Sequence, residues 1–307
     1  MKSFRAVAAF RKLLANKRID FVLLFGGQAG AAVVPIAEKS EIPTITITAT
    51  CGIVEDNRYG MRHWLDSQIQ SKTLLAAIKQ DQIKTAALLL TAHDATLDLG
   101  SKFRLNAREH DIDVIIQGGF SPPDRDFRSQ ILQIRKLDPD AIVIGLMPGH
   151  LSAFFRQLYE LKVDTPCYGF STSEDSSELE SAGEAMEGLI YVGPDHDELF
   201  IDHCRKKFGA YPEGASGNAY DIVMMLKGAL VAGATDRGSL NSYLHSIKGF
   251  SGSMGHYDLS PEDYFTLPAL PPQTPYLTVK AESLLAKSAS SGLFVPRDSG
   301  SITCLYI

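Results

Sequence analysis

Between residues 21 and 192 the sequence alternates short apolar, β-branched runs with stretches of helical periodicity. This alternation is typical of parallel sheets covered by helices, because each pair of parallel strands needs a long crossover connection. Strands are predicted at residues 21–25, 44–48, 85–90, 113–117, 141–145, 165–169 and 189–192. Helices are predicted at residues 31–40, 67–80, 100–110, 129–137 and 149–161. The sequence therefore predicts an α/β fold.

The pattern changes after Pro194. The chain then has two helical stretches, a segment rich in glycine and aromatic residues, a proline-rich connector, a last strand and a tail rich in serine and glycine. In that order they cover residues 198–208, 219–232, 249–258, 267–272, 274–280 and 284–307. Proline disfavours a helix in the connector. The tail has no clear period, and we expect it to be loosely attached.

The charge balance and hydropathy bear on possible partners. The formal net charge is −6, whereas nucleic-acid binding requires a clustered basic surface, so we expect no nucleic-acid partner. No apolar run reaches the roughly 18 residues of a membrane helix, and we expect no membrane insertion. Arg5, Arg11 and Lys12 interrupt the apolar stretch that a secretory signal needs. The spacing of the N-terminal apolar residues predicts an amphipathic helix instead.

Small and polar residues follow two of the predicted strands. Gly26, Gly27 and Gly30 lie between the strand at 21–25 and the next helix, and Thr46, Thr48 and Thr50 lie in and after the strand at 44–48. Ligands of parallel sheets bind outside the carboxyl ends of the strands, where helix N-termini attract anionic groups. Two interpretations stay open: a ligand site, or glycines that only make a tight strand-to-helix turn.

Sequence motifs of enzyme chemistry are absent. The chain contains no GxGxxG, no GxxxxGK[ST] and no GxSxG, so we expect no cofactor and no catalytic residue. Its four cysteines are scattered, which favours isolated thiols and leaves a disulfide open. The local cluster of His196 and His203 fits no familiar metal site, so no metal is expected and a solvated helix start is expected there. The acidic run at 174–180 is typical of a solvated surface turn and helix start.

Several segments, taken in order, resemble the type I periplasmic ligand-binding family, the branched-chain amino acid binding proteins that include leucine-binding proteins. The segments are residues 8–14, 19–26, 42–50, 126–131, 138–143, 185–188 and 219–221. The similarity runs from about residue 6 to 280. It implies two Rossmann-like lobes with parallel sheets joined by three crossovers. The family's N-terminal strand, helix and second strand have no counterpart here, so the first lobe is expected to be incomplete.

By this resemblance the first lobe holds residues 1–70 and 195–265, and the second lobe holds residues 71–194 and 266–283. A ligand would lie in the cleft between the lobes. The first-lobe ligand residues implied are Gln28, Ala29, Gly30, Thr48, Ala49 and Thr50. The second-lobe positions fall on Leu97, Met147, Ser171 and Glu174.

The second-lobe positions depart from the family pattern. Leu97 and Met147 occupy places where the family has tyrosines, and Ser171 lies near the place of its ammonium-binding glutamate. Glu174, three residues on, is a possible substitute. These departures make an aromatic or aliphatic carboxylate, or an amide, comparable with an amino acid as the expected ligand.

The resemblance implies solute capture for an ABC importer, with a transporter permease as partner and a periplasmic location. Without a signal-peptide pattern, cytoplasmic retention of this form also stays open. The alternative function is a ligand-sensing receptor or regulator of the same fold. Neither function is enzymatic.

Overall fold

In the computed structural model, which describes residues 2–16, 19–193, 196–209, 212, 215–257 and 277–278, parallel strands form two separate sheets. The first sheet has the order β1-β2-β3, with strands Val22–Phe25, Thr44–Ile47 and Gly60–Arg62. The second has the order β11-β8-β7-β6-β4-β5. Its strands are β4 (Thr85–Thr91), β5 (Asp113–Phe120), β6 (Ala141–Gly145), β7 (Cys167–Gly169), β8 (Ile190–Tyr191) and β11 (Leu277–Thr278). Strands β9 (Phe250–Gly252) and β10 (Gly255–Tyr257) form an antiparallel hairpin.

Ten α-helices connect and cover these strands within the described residues. They are α1 (Lys2–Asn16), α2 (Gly27–Lys39), α3 (Ser67–Gln80), α4 (Asp94–Glu109), α5 (Arg128–Leu137), α6 (Leu151–Glu160), α7 (Ser176–Ala182), α8 (Glu198–Phe208), α9 (Ser216–Val231) and α10 (Arg237–Ser246). None of the helices in these ranges is long and apolar enough to cross a membrane.

The central strands of the second sheet are buried on both faces. Ala86, Leu88 and Leu90 of β4 pack with α3 and α4 on one face, while Ala87 and Leu89 pack with α5 and α6 on the other. All five residues of β6 are buried. Strands covered on both sides carry continuous apolar runs. For that reason the sequence pattern located these strands well.

The first sheet separates two smaller apolar clusters. Leu24 of β1 packs with α1 and α2 on one side. On the other side Ile45 and Ile47 of β2 pack with Met61 of β3 and with α9 and α10. β1 runs parallel to β2, with Val22 opposite Thr44 and Phe25 opposite Ile47. The carboxyl ends of β1 and β2 therefore meet at one edge of the sheet.

These sheets confirm the predicted α/β fold and all seven strands predicted between residues 21 and 192. α2 and α4 begin earlier than predicted, at Gly27 and Asp94. β3 and α10 were not predicted at all. β3 has three residues and contains Arg62, so it lacks an apolar run. α10 has few buried residues but begins with a capping box at Asp236.

One prediction about a polar surface segment needs correction. Glu178, in the acidic run expected to be solvated, is 8% exposed. Its carboxylate accepts hydrogen bonds from the amides of Gly149 and Ser152, both at 2.8 Å, and so covers the start of α6. Cys51, Cys167 and Cys204 are free thiols, while Cys304, the connector at 267–272 and the tail at 284–307 lie outside the described residues.

Candidate ligand-binding site

The carboxyl end of β1 turns directly into α2. Gly26 makes this turn with a φ of 92°, in the left-handed region that favours glycine. Its amide donates to the carbonyl of Ile47 at 3.0 Å, which ties the turn to the end of β2. α2 then starts without a side-chain cap. Its first amides, including those of Gln28 and Ala29, point out of the helix end, as the first amides of any α-helix do.

Two threonine hydroxyls lie against this helix start. A Cβ atom on Gly27 would lie 2.6 Å from Oγ1 of Thr50 and 3.4 Å from Oγ1 of Thr48. Only glycine permits so close an approach. Thr48 Oγ1 accepts the Thr50 amide at 3.2 Å and lies 3.3 Å from Thr50 Oγ1. Amide and hydroxyl donors therefore converge at the ends of β1 and β2.

A buried arginine holds the threonine loop from behind. Arg62 of β3 is 2% exposed. Its Nη1 donates to the carbonyl of Thr50 at 3.1 Å, and its Nη2 donates to the carboxylate of Asp66 at 3.2 Å. Asp66 also caps α3 by accepting the Ile69 amide. Arg62 was not among the residues predicted for this site. The available signal was the Asp66 cap four residues later, which places a carboxylate within reach of the arginine.

A contact from α4 reaches the same loop. Leu97, a predicted site residue, is 48% exposed. The carboxylate of its neighbour Asp98 accepts the amide of Cys51 at 3.2 Å and the hydroxyl of Ser67. α4 packs on the second sheet through Leu99 and Phe103. Asp98 thus links that sheet to the residue that follows Thr50.

Met147, after β6, is held by a separate buried network. Its amide donates to Thr91 Oγ1 at 2.9 Å, and Thr91 Oγ1 lies 2.9 Å from Nδ1 of His150. His150 Nε2 donates to the carbonyl of Pro122 at 3.0 Å. In the neutral imidazole Nδ1 is then the acceptor, and the Thr91 hydroxyl donates to it. This network sets the backbone of Met147 at the carboxyl end of the second sheet.

Ser171 and Glu174 follow β7. The turn Ser171–Ser173 is a 3-10 helix, and the Ser171 amide donates to Oε1 of Gln70 at 3.0 Å. Nε2 of His196 lies 3.6 Å from the Glu174 carboxylate, and the two side chains form an ion pair when the histidine is protonated. His196, expected to be part of a solvated helix start, has a side chain that is only 5% exposed. Its contact with Glu174 joins the turn after β7 to the segment that precedes α8.

These contacts place some predicted residues together and separate others. The helix start at Gln28 and Ala29 lies beside Thr48 and Thr50. Gly30 instead faces β2, because a Cβ there would lie 2.7 Å from a methyl group of Thr46. Asp98, the neighbour of Leu97, accepts a hydrogen bond from Ser67 of α3, and the Ser171 amide donates to Gln70 of α3. In the described ranges no group of His, Cys, Asp and Glu residues is arranged to hold a metal ion.

Residues 2–266 match the family of proteins described as periplasmic binding proteins. No curated protein sequence matches the chain. A leucine-binding protein from Thermotoga maritima has a similar structure, with a TM-score of 0.75 and 21% identity over 84% of this chain and 77% of its own.

Two further structures are similar. A branched-chain amino acid transporter substrate-binding protein from Streptococcus pneumoniae, in complex with isoleucine, has a TM-score of 0.74 and 20% identity over 84% of this chain and 77% of its own. An ABC transporter solute-binding protein from Rhodopseudomonas palustris, in complex with benzoate, has a TM-score of 0.73 and 20% identity over 83% of this chain and 74% of its own. All three are binding proteins. Because the family match covers most of the sequence, the chain belongs to the periplasmic binding protein family.

Proposed function

We propose that this protein captures a small organic acid for an ABC importer and holds the ligand carboxylate at the start of α2. The observation that carries the proposal is the approach of Gly27 to the hydroxyls of Thr48 and Thr50. A helix start without a side-chain cap offers several amide donors and a partial positive charge. Hydroxyl groups beside it add donors for a second carboxylate oxygen.

The rest of the ligand is proposed to face the second sheet, near Leu97, Met147, Ser171 and Glu174. Leu97 and Met147 supply apolar contact surface, which suits an aliphatic or aromatic body. Glu174 suits a ligand ammonium group, but its pairing with His196 means that an amino acid would compete with the histidine. We therefore propose a ligand range from branched-chain amino acids to aromatic carboxylates. The isoleucine and benzoate complexes of the structural relatives support this range.

The arrangement of the chain into lobes is part of the same proposal. Strands β2 and β3 share an apolar cluster with α9 and α10, and β11 pairs antiparallel with β8 in the second sheet. We propose a first lobe of residues 1–70 and 195–265 and a second lobe of 71–194 and 266–283, with the ligand between them. Family membership supports a periplasmic location, a permease partner and a role without catalysis.

The proposed carboxylate anchor can be tested with a matched set of ligands. Calorimetry would measure the binding of leucine, isoleucine and benzoate, together with leucinamide and benzamide as controls that lack the carboxylate. We expect binding of at least one acid and loss of binding for its amide. Thr50→Val keeps the side-chain shape and removes one hydroxyl, so it should weaken acid binding by about 1–3 kcal/mol.

Equal affinity of the acid and its amide would contradict the carboxylate anchor. An unchanged affinity in Thr50→Val would contradict the role of the threonine loop. The exposed Thr235 of the first lobe offers a control, because Thr235→Val removes a hydroxyl far along the chain from this loop.

A further inference from the structure

The first turn of α3 contacts proposed ligand segments on both sheets. The Ser67 amide donates to the carbonyl of Ala49 at 3.0 Å. The Ser67 hydroxyl donates to Asp98 of α4. Three residues later, Gln70 Oε1 accepts the Ser171 amide. Residues three apart lie on the same face of a helix, so one turn of α3 reaches three proposed ligand segments.

Both side chains are fully buried and fully engaged. Ser67 and Gln70 are each 0% exposed. The amide nitrogen of Gln70 donates to the carbonyl of Leu65 at 2.8 Å while its oxygen accepts Ser171. The Ser67 oxygen also lies 3.2 Å from the thiol of Cys51. Because the Ser67 proton goes to Asp98, the thiol is the donor in this contact.

The same turn is fixed at its start. Asp66 caps α3 and accepts from Arg62, which in turn holds the carbonyl of Thr50. Removing one partner from such a buried network leaves a polar group without a hydrogen bond, and the network has few ways to relax. The helix start therefore fixes where the threonine loop lies relative to α4 and to the turn after β7.

We propose that Ser67 and Gln70 are positioning residues that hold the ligand segments of the two sheets in one arrangement before a ligand binds. This inference rests on the proposed function. Neither residue needs to touch the ligand. Each raises the population of the binding-competent arrangement, and apparent affinity scales with that population. Loss of either residue should thus weaken every bound ligand by the same factor.

Ser67→Ala and Ser71→Ala form a matched pair for the test. Ser71 lies one turn further along α3, is also 0% exposed, and accepts a hydrogen bond from Asn106 of α4 at 2.9 Å. Both variants therefore remove a buried hydroxyl between the same two helices. Only Ser67 contacts the threonine loop. Calorimetry would measure Kd for each ligand that the wild type binds, and amide exchange by NMR would follow Cys51 and Ser171.

Ser67→Ala should raise Kd about fivefold or more for all ligands alike, and it should speed exchange of the Cys51 amide. Ser71→Ala should leave both close to wild type, even if its melting temperature falls as far. Gln70→Leu is the second variant and should speed exchange of the Ser171 amide. If Ser67→Ala does not fold, Gln70→Leu carries the test.

Equal changes in Kd for the two serine variants would overturn the inference, as would unchanged exchange at Cys51 and Ser171. A wild type that binds none of the ligands would instead contradict the proposed function. In that case the exchange rates of the two amides alone decide whether α3 holds the segments in place.

Discussion

The two sheets are stabilised in different ways. The central strands of the second sheet, β4 and β6, are buried by apolar side chains on both faces. In the first sheet, all four residues of β2 are buried, including Thr44 and Thr46, and β3 ends at the buried Arg62. Apolar burial is nondirectional and tolerates small shifts of the packed side chains, whereas each buried polar group needs its hydrogen-bond partners in place. The first sheet, which carries the threonine loop, is therefore the more easily disrupted of the two.

A closed hydrogen-bond network lies beside the first sheet. The carboxylate of Asp221 accepts the amides of Ser253 and Met254 and the hydroxyl of Tyr257. The Tyr257 hydroxyl lies 2.8 Å from Nε2 of His63. Since the tyrosine proton goes to Asp221, the hydroxyl accepts from His63 Nε2. His63 Nδ1 then accepts from the side-chain amide of Asn218 at 3.0 Å. The network ties β3 to α9 and the hairpin.

Of the variants proposed, Asp221→Leu should destabilise the first sheet relative to the second the most. It leaves two amides and the Tyr257 hydroxyl buried without their acceptor, and we expect a loss of about 3 kcal/mol or more in unfolding free energy. The single tryptophan, Trp64, packs in the first-sheet cluster. Its fluorescence in urea should report the loss, while amide exchange in β4 should change less.

The exposed Asp202 on α8 provides the control for that variant, since Asp202→Leu removes a carboxylate at the surface. Exchange protection at the amides of β4 can be expressed as a free energy. If its loss equals the loss of unfolding free energy reported by Trp64 fluorescence, then the two sheets unfold as one unit and the comparison fails.

The sequence predicted the second sheet better than the first for the same physical reason. Continuous apolar runs such as residues 85–90 identify strands that are buried on both faces. β3 contains a charged residue and has no such run, so its burial depends on Asp66 and Thr50, which sequence periodicity does not reveal. In the candidate site, the glycines and threonines marked the strand ends. Gln70 and Asp98 were missed, because they act on residues 101 positions away at Ser171 and 31 positions away at Ser67.

The second-largest expected effect is a pH dependence of stability that is confined to the first sheet. Burial lowers the pKa of His63 from 6.5 to about 3. As the pH falls below 6.5, the unfolded chain binds a proton at His63 and the folded chain does not, so stability falls as the pH falls. At pH 5 the loss should be about 2 kcal/mol relative to pH 7. Trp64 fluorescence in urea at pH 7, 6 and 5 would measure it.

The matched variant is His63→Gln, which removes the titrating group. The absolute stability of the variant is lower because the network is broken, but its stability should fall less between pH 7 and pH 5 than that of the wild type. Parallel pH profiles of the two proteins would show that other groups cause the acid sensitivity.

The smallest effect is expected in the second sheet. Ile142 of β6 is 0% exposed, lies opposite Ala87 of β4 and belongs to the larger apolar cluster. Ile142→Val deletes one methylene group from a well-packed core, and we expect a loss of about 1 kcal/mol in the stability of that sheet. The loss should appear as faster amide exchange in β4 and β6 and should be the same at pH 7 and pH 5, since no ionisable group is involved.

The Trp64 transition should not move in Ile142→Val. Val33→Ala, in the cluster formed by the first sheet with α1 and α2, is the counterpart, because it deletes buried methyl groups that pack on the first sheet. It should shift the Trp64 transition and leave exchange in β4 nearly unchanged. If Ile142→Val moves the Trp64 transition as much as it changes exchange in β6, the sheets share one cooperative core, and their different construction has no consequence for stability.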